Sequence, residues 1–242
     1  MALPATDAGP PISAFHAPAA PFTMDAYAAI ASQYVYRGVA LRDRPAPSFS
    51  LSTNTSRGWF ADAWTGLVDG DAQTDYNPNG YTNPHGHEWD VDVSLGYGTA
   101  LGNDWQWSLA GARIIDVGDS GPSDDYNEWR ANLFYRDVAR AQFAYSEDYL
   151  QRGWSSWNLE LGGSHALTDT LRGEWGIGHS HGAGRAGNDY AYGWLGLNGS
   201  WLRTQWDARW VDAGHDARYV LDSDRAGSRF VLSLSWALHL LP

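Results

Sequence analysis

The densest group of chemistry-bearing side chains lies in IGHSHGAGR, residues 177–185, where Ser180 stands between His179 and His181. A serine hydrolase needs its hydroxyl within hydrogen-bond reach of an imidazole base, and on an extended chain only residues of equal parity share a face. Ser180 is adjacent to both histidines, so strand geometry separates hydroxyl from base. His179 and His181 do share a face, and with a third ligand they would suit Zn²⁺ or Cu²⁺. Histidines of a Gly-rich loop more often simply meet water, so neither a catalytic residue nor a metal site is assigned.

Two acidic stretches, DGDAQTD at 69–75 and DVGDSGPSDD at 116–125, carry the oxygen donors that Ca²⁺ prefers. Neither supplies the bidentate Glu that closes the helix-loop-helix calcium loop. They read as solvated loop surface that divalent cations could bridge loosely to lipopolysaccharide. No phosphate-binding Gly loop and no catalytic triad is visible, and no cofactor is expected.

More telling is EWDVDVSLGYG, residues 88–98. Trp89, Val91, Val93, Leu95 and Tyr97 form one face of an extended chain, and Glu88, Asp90, Asp92 and Ser94 the other. Carboxylates spaced two apart need water or partners, because a bare buried charge is costly. The strand therefore has an apolar side and a wet side.

Composition limits what those sides can meet. The chain has 242 residues, a net charge of −12 and no cysteine, which excludes disulfides and thiolate metal sites and argues against a nucleic-acid partner. No apolar run reaches the roughly 18 residues of a transmembrane helix. A transmembrane barrel stays open, since its strands need only about ten alternating residues. Fourteen Trp and thirteen Tyr exceed the needs of a soluble core and suit a membrane–water interface. The first 24 residues are rich in Pro and Ala and lack both a basic n-region and a continuous apolar h-region, so an exported chain is expected to be represented here in mature form.

From Asp25 onward twelve strand-like segments follow, at about 25–37, 47–55, 58–68, 87–97, 104–115, 125–135, 138–146, 154–164, 170–180, 189–199, 201–211 and 227–238. Links after the odd-numbered segments are long and polar, as in DGDAQTDYNPNGYTNPHG, while those after even-numbered segments are short, as in SRG and RDVA. Sorted loops and an even strand number predict an all-β, up-and-down antiparallel transmembrane barrel with both termini on the periplasmic side. The division is an N-terminal extension 1–24, a barrel 25–238 and a tail 239–242. The extension could remain disordered or enter and plug the lumen.

SQYVYRGVAL at 32–41, the acidic alternating strand at 88–98, AQFAYSEDYL at 141–150 and SRFVLSLSW near the end together resemble the TorF family of porin-like proteobacterial proteins, over roughly residues 25 to 236. The resemblance implies an outer-membrane barrel with a pore role and no established substrate. RAGSRFVL at 225–232 looks like the assembly signal of such barrels. ALHLLP, which continues past Trp236, departs from their usual aromatic end.

Strand parity assigns Arg37, Glu88, Asp90, Asp92, Glu128, Arg130, Arg140, Glu160, Arg172, Glu174, Arg203, Asp207, Arg209 and Arg229 to the lumen, with Asp62, Asn132, Gln142, Asn158 and Gln205 among them. Arg37, Arg209 and Arg229 are expected to face Glu88, Asp90 and Asp92 across the mouth, since opposed charges are one way pores select permeants. Trp59, Trp105 and Trp201 are expected near one interface, and Trp64, Trp89, Trp129, Trp154 and Trp210 near the other. The function this predicts is passive diffusion of small polar or charged solutes through a narrow charged lumen in the bacterial outer membrane. Its partners are the lipid bilayer, lipopolysaccharide and those solutes. The alternatives are a phospholipase-like lipid-modifying barrel, a non-conducting structural barrel and a soluble β-sandwich.

Overall fold

The period-two alternation of the sequence becomes strand almost throughout the computed structural model. The model describes residues 21–69, 87–117, 125–182, 189–214, 216–217 and 226–241, except for the side chains of residues 87, 88, 239 and 241. In chain order the strands are β1 (Phe22–Ala31), β2 (Tyr34–Tyr36), β3 (Val39–Arg42), β4 (Ala46–Thr55), β5 (Trp59–Asp69), β6 (His87–Leu101) and β7 (Trp105–Val117). They continue with β8 (Tyr126–Tyr135), β9 (Ala139–Ser146), β10 (Ser156–Ala166), β11 (Leu171–His181), β12 (Tyr190–Trp201), β13 (Thr204–Ala213) and β14 (Arg229–Leu241). A 3-10 turn, Tyr149–Gln151, interrupts the β9–β10 connection.

Twelve of these strands close into one antiparallel barrel in the order β1-β14-β13-β12-β11-β10-β9-β8-β7-β6-β5-β4, and β2 and β3 form a separate hairpin. Closure pairs every stave on both sides and leaves no sheet edge, the condition for a sheet to stand in hydrocarbon. The outer face bears exposed Leu95, Leu109, Ile177, Leu195, Phe230 and Leu238, among others. In water each such side chain would forgo roughly 1.5–3 kcal/mol of burial, so this face needs an apolar solvent. Among the described residues no helix is long and apolar enough to cross a membrane, and the crossing elements of this architecture are strands.

Eleven staves start and end within a few residues of the expected segments. The exception is the first. The segment expected to run straight from 25 to 37 is β1, ending at Ala31, followed by the hairpin β2–β3. Arg37 is therefore no barrel residue: it sits in the hairpin turn with φ 48°, followed by Gly38 at φ 82°. The last stave runs three residues beyond the expected 238, into the expected tail, because β1 begins at Phe22, inside the expected extension, and offers partners as far as Met24↔Leu241.

Trp59, Trp105 and Trp201 stand exposed at the short-turn ends of β5, β7 and β12. Trp129 and Trp210 face outward in the loop-end halves of β8 and β13, and Trp89 shares the outward parity of Val93 and Leu95. One Trp expectation fails: Trp64 points inward and is buried against Tyr34. Trp154 lies at the loop end, in the β9–β10 connection, with its indole N–H on the Gly182 carbonyl at 3.0 Å.

Candidate permeation path

The inner face of the barrel is built from the complementary parity. Across β4, β5 and β6 the register sets Ser52 against Asp62 and Asp62 against Ser94, a polar row turned away from the exposed leucines. Ser52 Oγ donates to Asp62 Oδ1 at 2.5 Å. Ser108 on β7 and Asn132 on β8 extend the polar lining, joined by a 3.1 Å hydrogen bond.

At the loop end this interior is crossed by the β2–β3 hairpin. Its root is pinned where the chain leaves β1: Ser32 N–H donates to the Leu232 carbonyl at 2.7 Å, and Arg229 Nη1 donates to Gln33 Oε1 at 3.1 Å. Val35 and Ala40 pack on Trp194, Val211 and Val231, the inward residues of β12, β13 and β14. Tyr34 stacks on Trp64 of β5 with ring centroids 5.4 Å apart. Val39 joins a cluster with Tyr190, Tyr192 and Ala213, against which Tyr149 of the 3-10 turn also packs. On the far side of β3, Arg42 and Arg44 bond the Asp69 carboxylate at 2.6 and 2.7 Å.

The hairpin tip ends on a charge network. Arg37 Nη2 donates to Glu128 Oε2 at 2.7 Å, Arg130 Nε donates to Glu128 Oε1 at 2.7 Å, and Arg130 Nη2 bonds Asp92. Burial opposes the Arg37 charge, but the Glu128 carboxylate outweighs it and holds the guanidinium pKa well above its ordinary value. Arg37 is thus locked as a cation, with the Tyr36 ring 4.7 Å below it.

A second network covers β9 to β13. Arg140 bonds Glu160 at 2.7 Å, and the Tyr192 hydroxyl donates to Glu160 at 3.0 Å. Arg209, only 1% exposed, reaches Glu174 at 3.0 Å and Asp207 at 2.9 Å. The Trp194 indole lies between the two cations, 5.5 Å from the Arg140 guanidinium and 4.2 Å from that of Arg209.

Of the side chains expected inside, Asp92, Glu128, Arg130, Arg140, Glu160, Glu174, Asp207 and Arg209 stand in these networks, and Asp90 shares their inward parity. Arg172 faces the short-turn end, donating to Ser164 Oγ and to the Asp137 carbonyl. Arg203 is corrected: it is exposed in the two-residue turn between β12 and β13, because β13 begins only at Thr204. The Glu88 side chain lies outside the described residues, as do residues 70–75 and 118–124 of the acidic loops considered for Ca²⁺ and the N-terminal extension to residue 20.

The expected opposition of an arginine group to Glu88, Asp90 and Asp92 takes another form. Asp92 is matched by Arg130 two staves away, Arg209 by Glu174 and Asp207, and Arg37 bridges from the hairpin to β8 across the barrel. The hairpin was the feature the sequence reading missed. Its signal was the pair Arg37-Gly38, a turn-forming step inside an unusually long strand.

Ser180 is inward and fully buried, while His179 and His181 lie on the opposite face, so no hydroxyl–imidazole pair forms there.

No family model and no curated protein matches the sequence. Solved structures do match in fold. The KdgM porin superposes with a TM-score of 0.52 at 8% identity, covering 90% of this chain and 99% of that one. An outer membrane channel from Pseudomonas putida F1 gives 0.53 at 10% identity over 95% and 100%. The P. putida toluene transporter TodX gives 0.55 at 9% identity over 93% and 91%. The shared feature is the outer-membrane β-barrel fold.

Proposed function

We propose that this chain is a narrow outer-membrane channel for passive diffusion of small polar or charged solutes, needing no cofactor and forming no covalent intermediate. The observation that carries the reading is the chemistry of the inner face: buried ion pairs and hydroxyls on the side away from lipid, crossed by a hairpin whose tip adds Arg37 to the charged groups. An interior meant only to fill a barrel is served better by apolar packing, since replacing buried ion pairs by hydrophobic groups is often neutral or stabilising. The fold neighbours are named as porins and transporters, which supports a channel over an enzyme. TodX is named for toluene; the charged interior here favours water-soluble permeants instead.

In this reading Asp90, Asp92, Glu128, Arg130, Arg140, Glu160, Arg172, Glu174, Asp207, Arg209 and Arg229 line the path, and Arg37 narrows it from the hairpin. The loop end faces the exterior, where lipopolysaccharide surrounds it. The resemblance of its motifs to the TorF family supports the porin reading. Liposome swelling tests the function: vesicles holding the folded protein should admit amino acids and monosaccharides and exclude oligosaccharides. Vesicles no leakier than protein-free controls would contradict it.

A further inference from the structure

The two halves of the lumen differ in exposure. Toward the short turns the inward side chains Ser52, Asp62, Asn132, Gln142 and Asn198 keep partial exposure. Toward the loops their counterparts Trp64, Asp92, Glu128, Ser156, Tyr192 and Val231 are all buried. Part of that seal is the β9–β10 connection, residues 147–155, which bends inward. Its Tyr149 packs on the Val39–Tyr190–Tyr192 cluster and meets the Tyr126 ring edge-on, with centroids 4.8 Å apart.

This strap is strained and lightly held. Leu150 and Gln151 are both left-handed, at φ 55° and 52°, a region that is costly for residues carrying a Cβ. Its shape is fixed from within: Tyr149 N–H donates to the Trp154 carbonyl at 3.0 Å, and Gly153 N–H to Asp148 Oδ1 at 2.7 Å. No residue of its 3-10 turn is fully buried, and Glu147, Asp148, Gln151, Gly153 and Ser155 are exposed. At its foot Ser146 and Ser156 pair across β9 and β10, and Ser180 follows on β11, opposite Asn158. Ser146 is 2% exposed and Ser180 0%, yet among the described residues neither hydroxyl has a hydrogen-bond partner. A buried hydroxyl left so costs free energy that contact with water would recover.

We propose that residues 147–153 form a lid over a polar side passage along β9 to β11. The lid pivots on Trp154, whose indole stays on the Gly182 carbonyl. Swinging outward lifts Tyr149 from the hairpin and from Tyr126, relieves the left-handed pair, and lets water reach Ser146, Ser156 and Ser180. A strained element held closed mainly by one aromatic ring has two arrangements to choose between, as a gate requires. The lid rests on the channel reading above and sets how often solutes pass beside the hairpin.

The chain has no cysteine, so Ser146→Cys and Ser180→Cys each give a single, nearly isosteric thiol for a water-soluble methanethiosulfonate. In the folded full-length protein in detergent both should be modified slowly. Adding Tyr149→Ala should speed modification at least tenfold. Adding Leu150→Gly with Gln151→Gly should slow it several-fold, because glycine removes the strain of the closed lid. A strap that is only a flexible loop would be loosened by two glycines, so faster modification in that variant would overturn the lid. A rate indifferent to Tyr149→Ala, or thiols that never react, would overturn it too. Single-channel recording reads the same motion: Tyr149→Ala should raise the open probability and the glycine pair lower it. Modification that follows the lid in a protein carrying no current would leave the lid standing and remove the channel reading.

Discussion

Arg37 and Glu128 lie 91 positions apart in the chain and 2.7 Å apart in space. Arg37 belongs to the hairpin that follows β1, and Glu128 to β8, which is separated from β1 by four staves on one side of the ring and six on the other. One ion pair therefore fixes the hairpin across the barrel. Glu128 also accepts from Arg130, so two buried guanidiniums share this carboxylate, Arg130 holding Asp92 as well.

Removing that carboxylate should be expensive. Glu128→Ala leaves both cations buried without it, and loss of one member of a buried pair costs about 3–5 kcal/mol. Urea unfolding from lipid vesicles, followed by tryptophan fluorescence, should show this loss. Replacing Arg37 and Glu128 together by Met should recover part of it, because one uncompensated charge goes too.

Gly38 is the backbone counterpart of that anchor. Its φ of 82° is left-handed, and a Cβ there would lie 2.5 Å from Tyr192 Cβ, the end of that side chain that cannot swing away. Gly38→Ala should lift the tip from the wall. Limited proteolysis, with the unaltered protein resistant within residues 34–42, should show cleavage there in the variant while the barrel keeps its heat-modifiable gel migration. Continued resistance would mean that the tip is not held by this contact.

The two faces of the wall should respond differently. Leu195→Arg and Leu234→Arg, near the middle of β12 and β14 on the outer face, should each destabilise by roughly 2–4 kcal/mol if they sit at the bilayer midplane. Gln142→Ala, inward on β9, should change unfolding much less. Arg130→Ala does not belong with it, since Arg130 is bonded to both Glu128 and Asp92. Equal penalties for Leu234→Arg and Gln142→Ala would show that the assigned faces are wrong.

The parity of the wall was legible in the sequence because lipid and water impose opposite demands on alternate residues. EWDVDVSLGYG reads directly as Val93 and Leu95 outward with Asp92 and Ser94 inward, and the last strand reads equally well. The hairpin did not read, because its residues are buried on both sides. Without a polar face, YVYRGVAL continues the look of β1. Trp64 misled for a related reason: a lumen packed by a hairpin can hold a tryptophan as well as an interface can. Its odd spacing from Trp59, five positions along one strand, already put the two on opposite faces. Ion-pair partners lay beyond reach, since parity gives the side of the wall but the register between strands decides which charges meet.

Charge selectivity should follow the inner carboxylates. Asp90→Asn with Asp92→Asn removes two negative charges from β6 while Arg130 keeps its positive one. The reversal potential in a salt gradient should then shift toward anion preference, most clearly at low ionic strength, where screening is weakest. A selectivity indifferent to both substitutions would place the ion path elsewhere.

The most direct measurement is planar-bilayer conductance of the folded protein beside a variant whose residues 34–42 are replaced by a short Gly/Ser link, with Gly38→Val as a milder second variant. The account predicts a small, salt-sensitive conductance for the unaltered chain and a several-fold larger one for the hairpin replacement, with Gly38→Val between them. Silence from all three, or a conductance the hairpin does not affect, would contradict a polar channel narrowed by the hairpin that Arg37 and Glu128 hold across it.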